Sequence, residues 1–199
     1  MLHMLCIVMA CAYFISHATV TGFLVLFFCI YLMPLLCMKI HQKIYPLRES
    51  TTDLLKLRYS AWWGTHQIQA VFNAIPAFEA VLRVIPGVYS AWLRLWGSRV
   101  GKKVYWTPRV EITDRSLMHI GDQVIFGHRV ACYSHVIARK NNKLLLYVKR
   151  IKIGSHVFLG AGSRLGPGTI INAHATLPLL TDLKINQHIA EEFACQTGE

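Results

Sequence analysis

Ile153-Gly-Ser-His-Val-Phe, Leu159-Gly-Ala-Gly-Ser-Arg, Leu165-Gly-Pro-Gly-Thr-Ile, Ile171-Asn-Ala-His-Ala-Thr and Leu177-Pro follow one another without a gap, so this stretch has a period of six. The same register appears upstream in Ile120-Gly-Asp-Gln-Val-Ile, Phe126-Gly-His-Arg-Val-Ala and Cys132-Tyr-Ser-His-Val-Ile. All eight block starts are apolar, five of the eight second positions are Gly, and every complete block has a small or β-branched fifth residue. Such a period predicts one short strand and one turn per block, with three blocks closing a triangular coil of about 18 residues. The first side chain of each block is expected to point inward and stack on its counterpart one coil away. The second position, Gly or Asn172, is expected to supply backbone angles that other residues resist. The fifth residue fits the narrow interior. Val104 and Val110 are read as beginning the solenoid, with 111–119 slightly out of register.

The period breaks between Ile137 and Ile153, where 138–152 is an insertion. Arg139-Lys140-Asn141-Asn142-Lys143 reads as a turn, and Leu144 to Val148 as a returning strand or a protruding arm. A loop thrown out of a rigid solenoid is a natural place for function. Four histidines lie on the repeat: His135, His156 and His174 at the fourth position of a block, and His128 at the third. His156 and His174 are expected to stack one coil apart. For any one of these, a solvated or coil-stacking residue is the plain alternative to a functional one.

These blocks resemble the hexapeptide-repeat (left-handed β-helix) acyltransferases, the group containing galactoside, maltose, serine and xenobiotic acetyltransferases. The resemblance covers roughly 101–187 and is specific for the fold, not for the substrate. It implies a mainly β architecture, a left-handed parallel β-helix, preceded here by N-terminal transmembrane and membrane-proximal helices. It also implies acetyl-CoA or another acyl-CoA as co-substrate, and a homotrimer with sites between subunits. In galactoside-type members the catalytic histidine sits just ahead of a loop that re-enters through an Ile-Gly block. The resemblance therefore implies His135 as general base, with Ile153-Gly154 as the re-entry. An imidazole with a pKa near 6.5 can take the proton of an attacking hydroxyl or amine at neutral pH. By the same matching, Ala161 and Leu179 are implied as pantetheine contacts and Lys184 as the phosphate contact. The longer basic tail usual in the family is reduced here. The γ-class carbonic anhydrases share the fold and bind zinc through histidines that include an H-x4-H pair; no such pair occurs here, and no metal is expected.

Charge is unevenly placed. Residues 1–38 contain no Lys, Arg, Asp or Glu, so the formal charge of +11 belongs to the remainder. Such a surface suits acidic lipid head groups or a phosphorylated cofactor; nucleic acid is not expected, since no binding module accompanies the charge. The six cysteines form no C-x-x-C pair, which argues against a disulfide framework and a zinc site. A hydrocarbon core takes roughly 20 residues to span. The best single span is 18–38, with Ser16-His17 read as a turn after a shorter apolar stretch and Pro34 as a kink. Lys39, Lys43 and Arg48 follow it, which by the positive-inside rule places the rest of the chain in the cytoplasm. All five tryptophans fall between Trp62 and Trp106. They are expected either at the lipid interface or buried in helices that cap the next domain. Pro76 and Pro86 are read as bracketing a helix over 77–85.

The organisation read from the sequence is a transmembrane anchor over 1–43, a helical membrane-proximal or capping region over 44–100, the β-helix over 101–187 with loop 138–152, and a tail over 188–199. The function it points to is CoA-dependent acyl transfer, O-acetyl by analogy with the family. The acceptor is expected to be carbohydrate-like or membrane-linked, at the cytoplasmic face of the inner membrane. A noncatalytic β-helix scaffold at the membrane, or a γ-carbonic-anhydrase-like protein, are the alternatives.

Overall fold

The computed structural model describes residues 2–56 and 59–190. Contacts divide the chain into two units, one ending at Leu47 but including Tyr59–Ala74, the other formed by the 48–56 segment and the chain from Ile75 onward.

In the first unit, α1 (Leu2–His17) ends where Ala18 takes a φ of 45°, and Thr19 caps α2 (Val20–Phe27) by accepting from the Gly22 amide. A π turn over Phe28–Leu32 joins α2 to α3 (Met33–Ile44), with Met33 N–H donating to the Phe28 carbonyl. Pro34 has no N–H to donate to the preceding turn. The wider turn just before it absorbs that loss without interrupting the helix. The continuous helix Val20–Ile44 is long and apolar enough to cross a membrane by length and composition. It starts two residues later and ends six later than the 18–38 span read from the sequence. Helix α4 (Ala61–Ala74) packs on α3 through Gly64, where any Cβ would collide with the His41 ring and the Tyr59 hydroxyl. Those two groups share a hydrogen bond of 2.8 Å.

The second unit contains β1 (Ser50–Asp53), α5 (Ala77–Leu82), α6 (Val88–Leu95) and the solenoid. Helix α5 stops three residues short of the expected Ile85. A residue preceding proline is driven out of the helical region, and Gly87 then turns the chain at a φ of 84° to start α6.

The first coil carries β2 (Arg99–Val100), β3 (Tyr105–Trp106) and β4 (Glu111–Ile112); the second β5 (Met118–Ile120), β6 (Ile125–Phe126) and β7 (Ala131–Cys132). A hairpin, β8 (His135–Lys140) and β9 (Lys143–Val148), interrupts. The third coil carries β10 (Ile151–Ile153), β11 (Phe158–Leu159) and β12 (Arg164–Leu165), the fourth β13 (Ile170–Ile171), β14 (Thr176–Leu177) and β15 (Asp182–Leu183), and β16 (His188–Ile189) adds one further rung. Parallel pairing between coils builds three flat faces, β2-β5-β10-β13-β16, β3-β6-β11-β14 and β4-β7-β12-β15, the architecture of the left-handed β-helix. The registers align the first-position residues: Val100, Ile120, Ile153, Ile171 and Ile189 on one face, Trp106, Phe126, Leu159 and Leu177 on the next, Ile112, Cys132, Leu165 and Leu183 on the third. All of these side chains except Trp106 are buried, each worth about 1.5–3 kcal/mol of transfer for an aliphatic one. Fifth-position Val124, Val130, Val157, Ser163, Thr169 and Ala175 fill the space between them.

Three expectations change. The second-position glycines are not the turn residues. Their φ values are ordinary, and the left-handed angles fall at fourth positions, including Arg129, His156, Gly162, Gly168, His174, Leu180 and Asn186. Glycine is needed at the second position because the next coil passes close by: a Cβ on Gly121 would lie 2.5 Å from the Ser155 amide nitrogen, and one on Gly127 2.5 Å from the Leu159 carbonyl oxygen. The solenoid begins at Val100, with Val104 and Val110 as fifth-position residues rather than block starts. Val136 and Ile137 do not belong to a coil at all. His135 leaves the fourth-position turn geometry and starts β8, which leaves Ile137 45% exposed. The returning β9 pairs on its other edge with β1, giving the sheet β1-β9-β8. Asn141 and Asn142, at φ of 50° and 57°, make the two-residue turn that a right-twisted hairpin favours.

Helix α6 closes the end of the coil. Trp92, Leu93 and Trp96 are buried; the Trp106 ring stacks on Phe126 at 4.4 Å and takes the edge of Tyr89 at 4.9 Å. Trp92 and Trp96 are thus buried within the second unit. Of the tail expected over 188–199, residues 188–190 continue the solenoid, and the remainder, with Cys195, lies outside the described residues.

Candidate active site

The corner leading from the third face to the first is the irregular one. It holds 113–117 in the first coil, the hairpin in the second, and the turns Gly166–Thr169 and Lys184–Gln187 in the third and fourth. Aligned residues are 18 apart between later coils, such as Leu165 and Leu183, but 20 apart between the first two, such as Ile112 and Cys132. The two extra residues lie in Thr113-Asp114-Arg115-Ser116-Leu117, and all five side chains are buried.

This longer corner brings Asp114 against His135. Asp114 Oδ2 accepts a hydrogen bond from His135 Nδ1 at 2.6 Å, and Thr113 Oγ1 donates to the same oxygen at 3.0 Å. The Asp114 side chain is 1% exposed and that of His135 is 19% exposed. A carboxylate on Nδ1 selects the tautomer that carries its proton there, which makes Nε2 the basic nitrogen. The corner is clamped from behind. Arg115 donates from Nε and Nη2 to the two carboxylate oxygens of Glu79 on α5, at 2.7 and 2.9 Å. Trp92 Nε1 adds a hydrogen bond to Glu79 Oε1, and Ser98 Oγ holds the Arg115 carbonyl at 2.6 Å. At the hairpin's base the Lys149 amide donates to Ser134 O, and Lys149 Nζ donates to Asn186 Oδ1 at 2.9 Å.

His135 lines a pocket of about 540 Å³ walled by Val136 and Ile137 of the hairpin, Gly166, Pro167, Tyr133, Lys184 and Ile185. Burial first, and then the Glu111 carboxylate that accepts its proton, push the Tyr133 hydroxyl above its ordinary pKa. A mostly apolar wall with one base, one phenol and one ammonium can take a flexible apolar arm and orient a polar end.

Of the residues singled out in the sequence, His135 and Lys184 share this pocket. Ala161 and Leu179 do not join them. They stand one coil apart on the corner between the second and third faces, where the Leu180 amide donates to the Ala161 carbonyl at 2.9 Å. His156 and His174 are turn residues whose rings stack at 4.8 Å. Asp114 was not among the sequence candidates. Its signal was the two-residue excess between Ile112 and Ile120, in a stretch otherwise read only as out of register.

No protein-family model and no curated protein matches the chain. Solved structures do. A hexapeptide-repeat acetyltransferase of Vibrio cholerae is 14% identical, with 59% of this chain and 86% of that one covered at a TM-score of 0.39. The same Vibrio cholerae acetyltransferase complexed with acetyl coenzyme A aligns over 61% of this chain and 82% of that one, at 14% identity and a TM-score of 0.31. A maltose O-acetyltransferase of Clostridium difficile is 15% identical over 59% of this chain and 82% of its own, with a TM-score of 0.31.

Proposed function

We propose that this protein is an acyl-CoA-dependent acyltransferase, transferring an acetyl group to a hydroxyl of a carbohydrate-like or membrane-linked acceptor, with His135 as general base. The observation that carries the reading is the Asp114–His135 pair at the edge of an apolar pocket. In the reaction the acceptor oxygen attacks the thioester carbonyl carbon while its proton passes to His135 Nε2. The C–S bond then breaks, and the CoA sulfur leaves with the proton that His135 returns. Asp114 stabilises the imidazolium formed between these steps.

Lys184 is assigned to a CoA phosphate, and Ala161 and Leu179 to backbone contacts with pantetheine. Since those two stand at a different corner from His135, the reading needs a second copy to bring them to the same groove. An outward pair of Ile125 and Phe158, in register and 41% and 42% exposed, supports self-association, and a homotrimer is proposed. The helix Val20–Ile44 is proposed as the membrane anchor, with the basic residues Lys39, Lys43 and Arg48 keeping the second unit on the cytoplasmic side.

The test is an acceptor screen with labelled acetyl-CoA on the full chain in nanodiscs. Label should move to a hydroxylated acceptor, and His135→Ala should lower the rate by 10²–10⁴-fold, as expected for losing a general base. Absence of any CoA binding by the intact oligomer would favour a scaffold instead.

A further inference from the structure

A second cavity, of about 430 Å³, lies between α6 and the first coil and shares no residue with the His135 pocket. Its walls include Arg83, Arg94, Lys102 and Lys103 and no acidic side chain. Arg94 donates from Nε to the Val100 carbonyl and from Nη2 to the Gly101 carbonyl, both at 2.8 Å. These bonds fix the turn that carries the two lysines. The Asp122 carboxylate takes the Lys102 backbone amide at 2.6 Å, and neither lysine ammonium is in an ion pair among the described residues.

Arg83 stands at the back of the cavity and is already engaged. Its side chain is 6% exposed, its Nη2 donates to the Val110 carbonyl at 2.8 Å and lies 3.9 Å from Glu79 Oε2, and its guanidinium sits 4.2 Å over the Tyr89 ring. The two lysine ammonium groups are therefore the cations left for an anion in the cavity. The same cavity has an apolar side. Ile85 and Tyr105 line it and are each 61% exposed, and Val84 is 78% exposed. Basic donors beside exposed aliphatic and aromatic side chains suit a ligand with an anionic head and a hydrocarbon tail.

We propose that this cavity binds the phosphate of an anionic lipid. The Lys102 and Lys103 ammonium groups meet the phosphate oxygens, and the acyl chain lies along Val84, Ile85 and Tyr105. The site is separate from the acyl-transfer chemistry and stands whether or not that reading does.

The full chain would be reconstituted in nanodiscs of phosphatidylcholine with a photoactivatable phosphatidic acid. Crosslinks are expected in peptides covering 83–106, at least tenfold above those from a matched phosphatidylcholine probe. Lys102→Glu with Lys103→Glu should remove that excess, and Ile85→Ser should reduce it, with the helical circular dichroism unchanged. Equal labelling by the two probes in the unmodified chain would overturn the proposal, and needs no variant. Displacement of the probe by inorganic phosphate at comparable concentration would make the site one for a free anion and overturn the lipid assignment. Displacement by coenzyme A would assign the cavity to the co-substrate, with the same consequence.

Discussion

His135 Nδ1 lies 2.6 Å from Asp114 Oδ2, and the two residues, 21 apart in the chain, face each other across a single coil step. The contact exists because the first corner is two residues longer than its successors and because the chain leaves the second coil as a hairpin at His135. The carboxylate is 1% exposed, so its influence on the imidazole is little screened by water.

Asp114→Asn should therefore act on turnover more than on substrate binding. The amide keeps the shape but no longer selects the tautomer or stabilises the imidazolium. A fall in kcat of about 10²-fold or more, with KM for acetyl-CoA within a few-fold, is expected from steady-state rates. An unchanged kcat would remove Asp114 from the proton-transfer unit.

Glu79→Ala should destabilise the second unit far more than loss of an exposed acid would. Arg115 is left with a buried charge, since its side chain is 1% and that of Glu79 4% exposed. Stranding such a partner costs about 3–5 kcal/mol. A lowered thermal midpoint is the expected result. The paired change Glu79→Gln with Arg115→Met should recover part of the loss, because it removes the Arg115 charge and leaves only Arg83, 3.9 Å from Glu79 Oε2, short of a carboxylate.

Acidification should weaken the first face of the coil. His119 stands in register between Arg99 and Lys152. Burial first, and then Arg150, Arg99 and Lys152, hold its pKa below the ordinary 6.5. The unfolded chain therefore binds more protons as pH falls below about 6.5, so the contribution of His119 is complete above that pH and is lost as pH falls through the folded value. The drop in thermal midpoint between about pH 7.5 and pH 5.5 should be smaller in His119→Gln than in the unsubstituted chain.

The period of six determined the coil, because each rung stacks on the residue one turn away and so carries its own packing rule locally. Ile120, Ile153 and Ile171 can be placed as block starts by counting alone, and the break after Ile137 marks the excursion. The same counting misassigned the glycines and Val136. It registers position, but cannot tell close approach between coils from a turn angle, or a fifth-position residue from the start of a strand.

What only tertiary structure decided has no period. Asp114 meets His135, and Arg115 meets Glu79 across 36 residues, through a corner whose extra length breaks the register. The division of the tryptophan-rich region is of the same kind: α4 joins the apolar helices, while α5 and α6 join the coil. Tryptophan occurs on both sides of Ile75, and the partition depends on which surface each helix buries. The sequence thus determined the scaffold and the place where it opens. The acid that orients its histidine is set by a contact between non-repeating segments, which only the folded chain brings together.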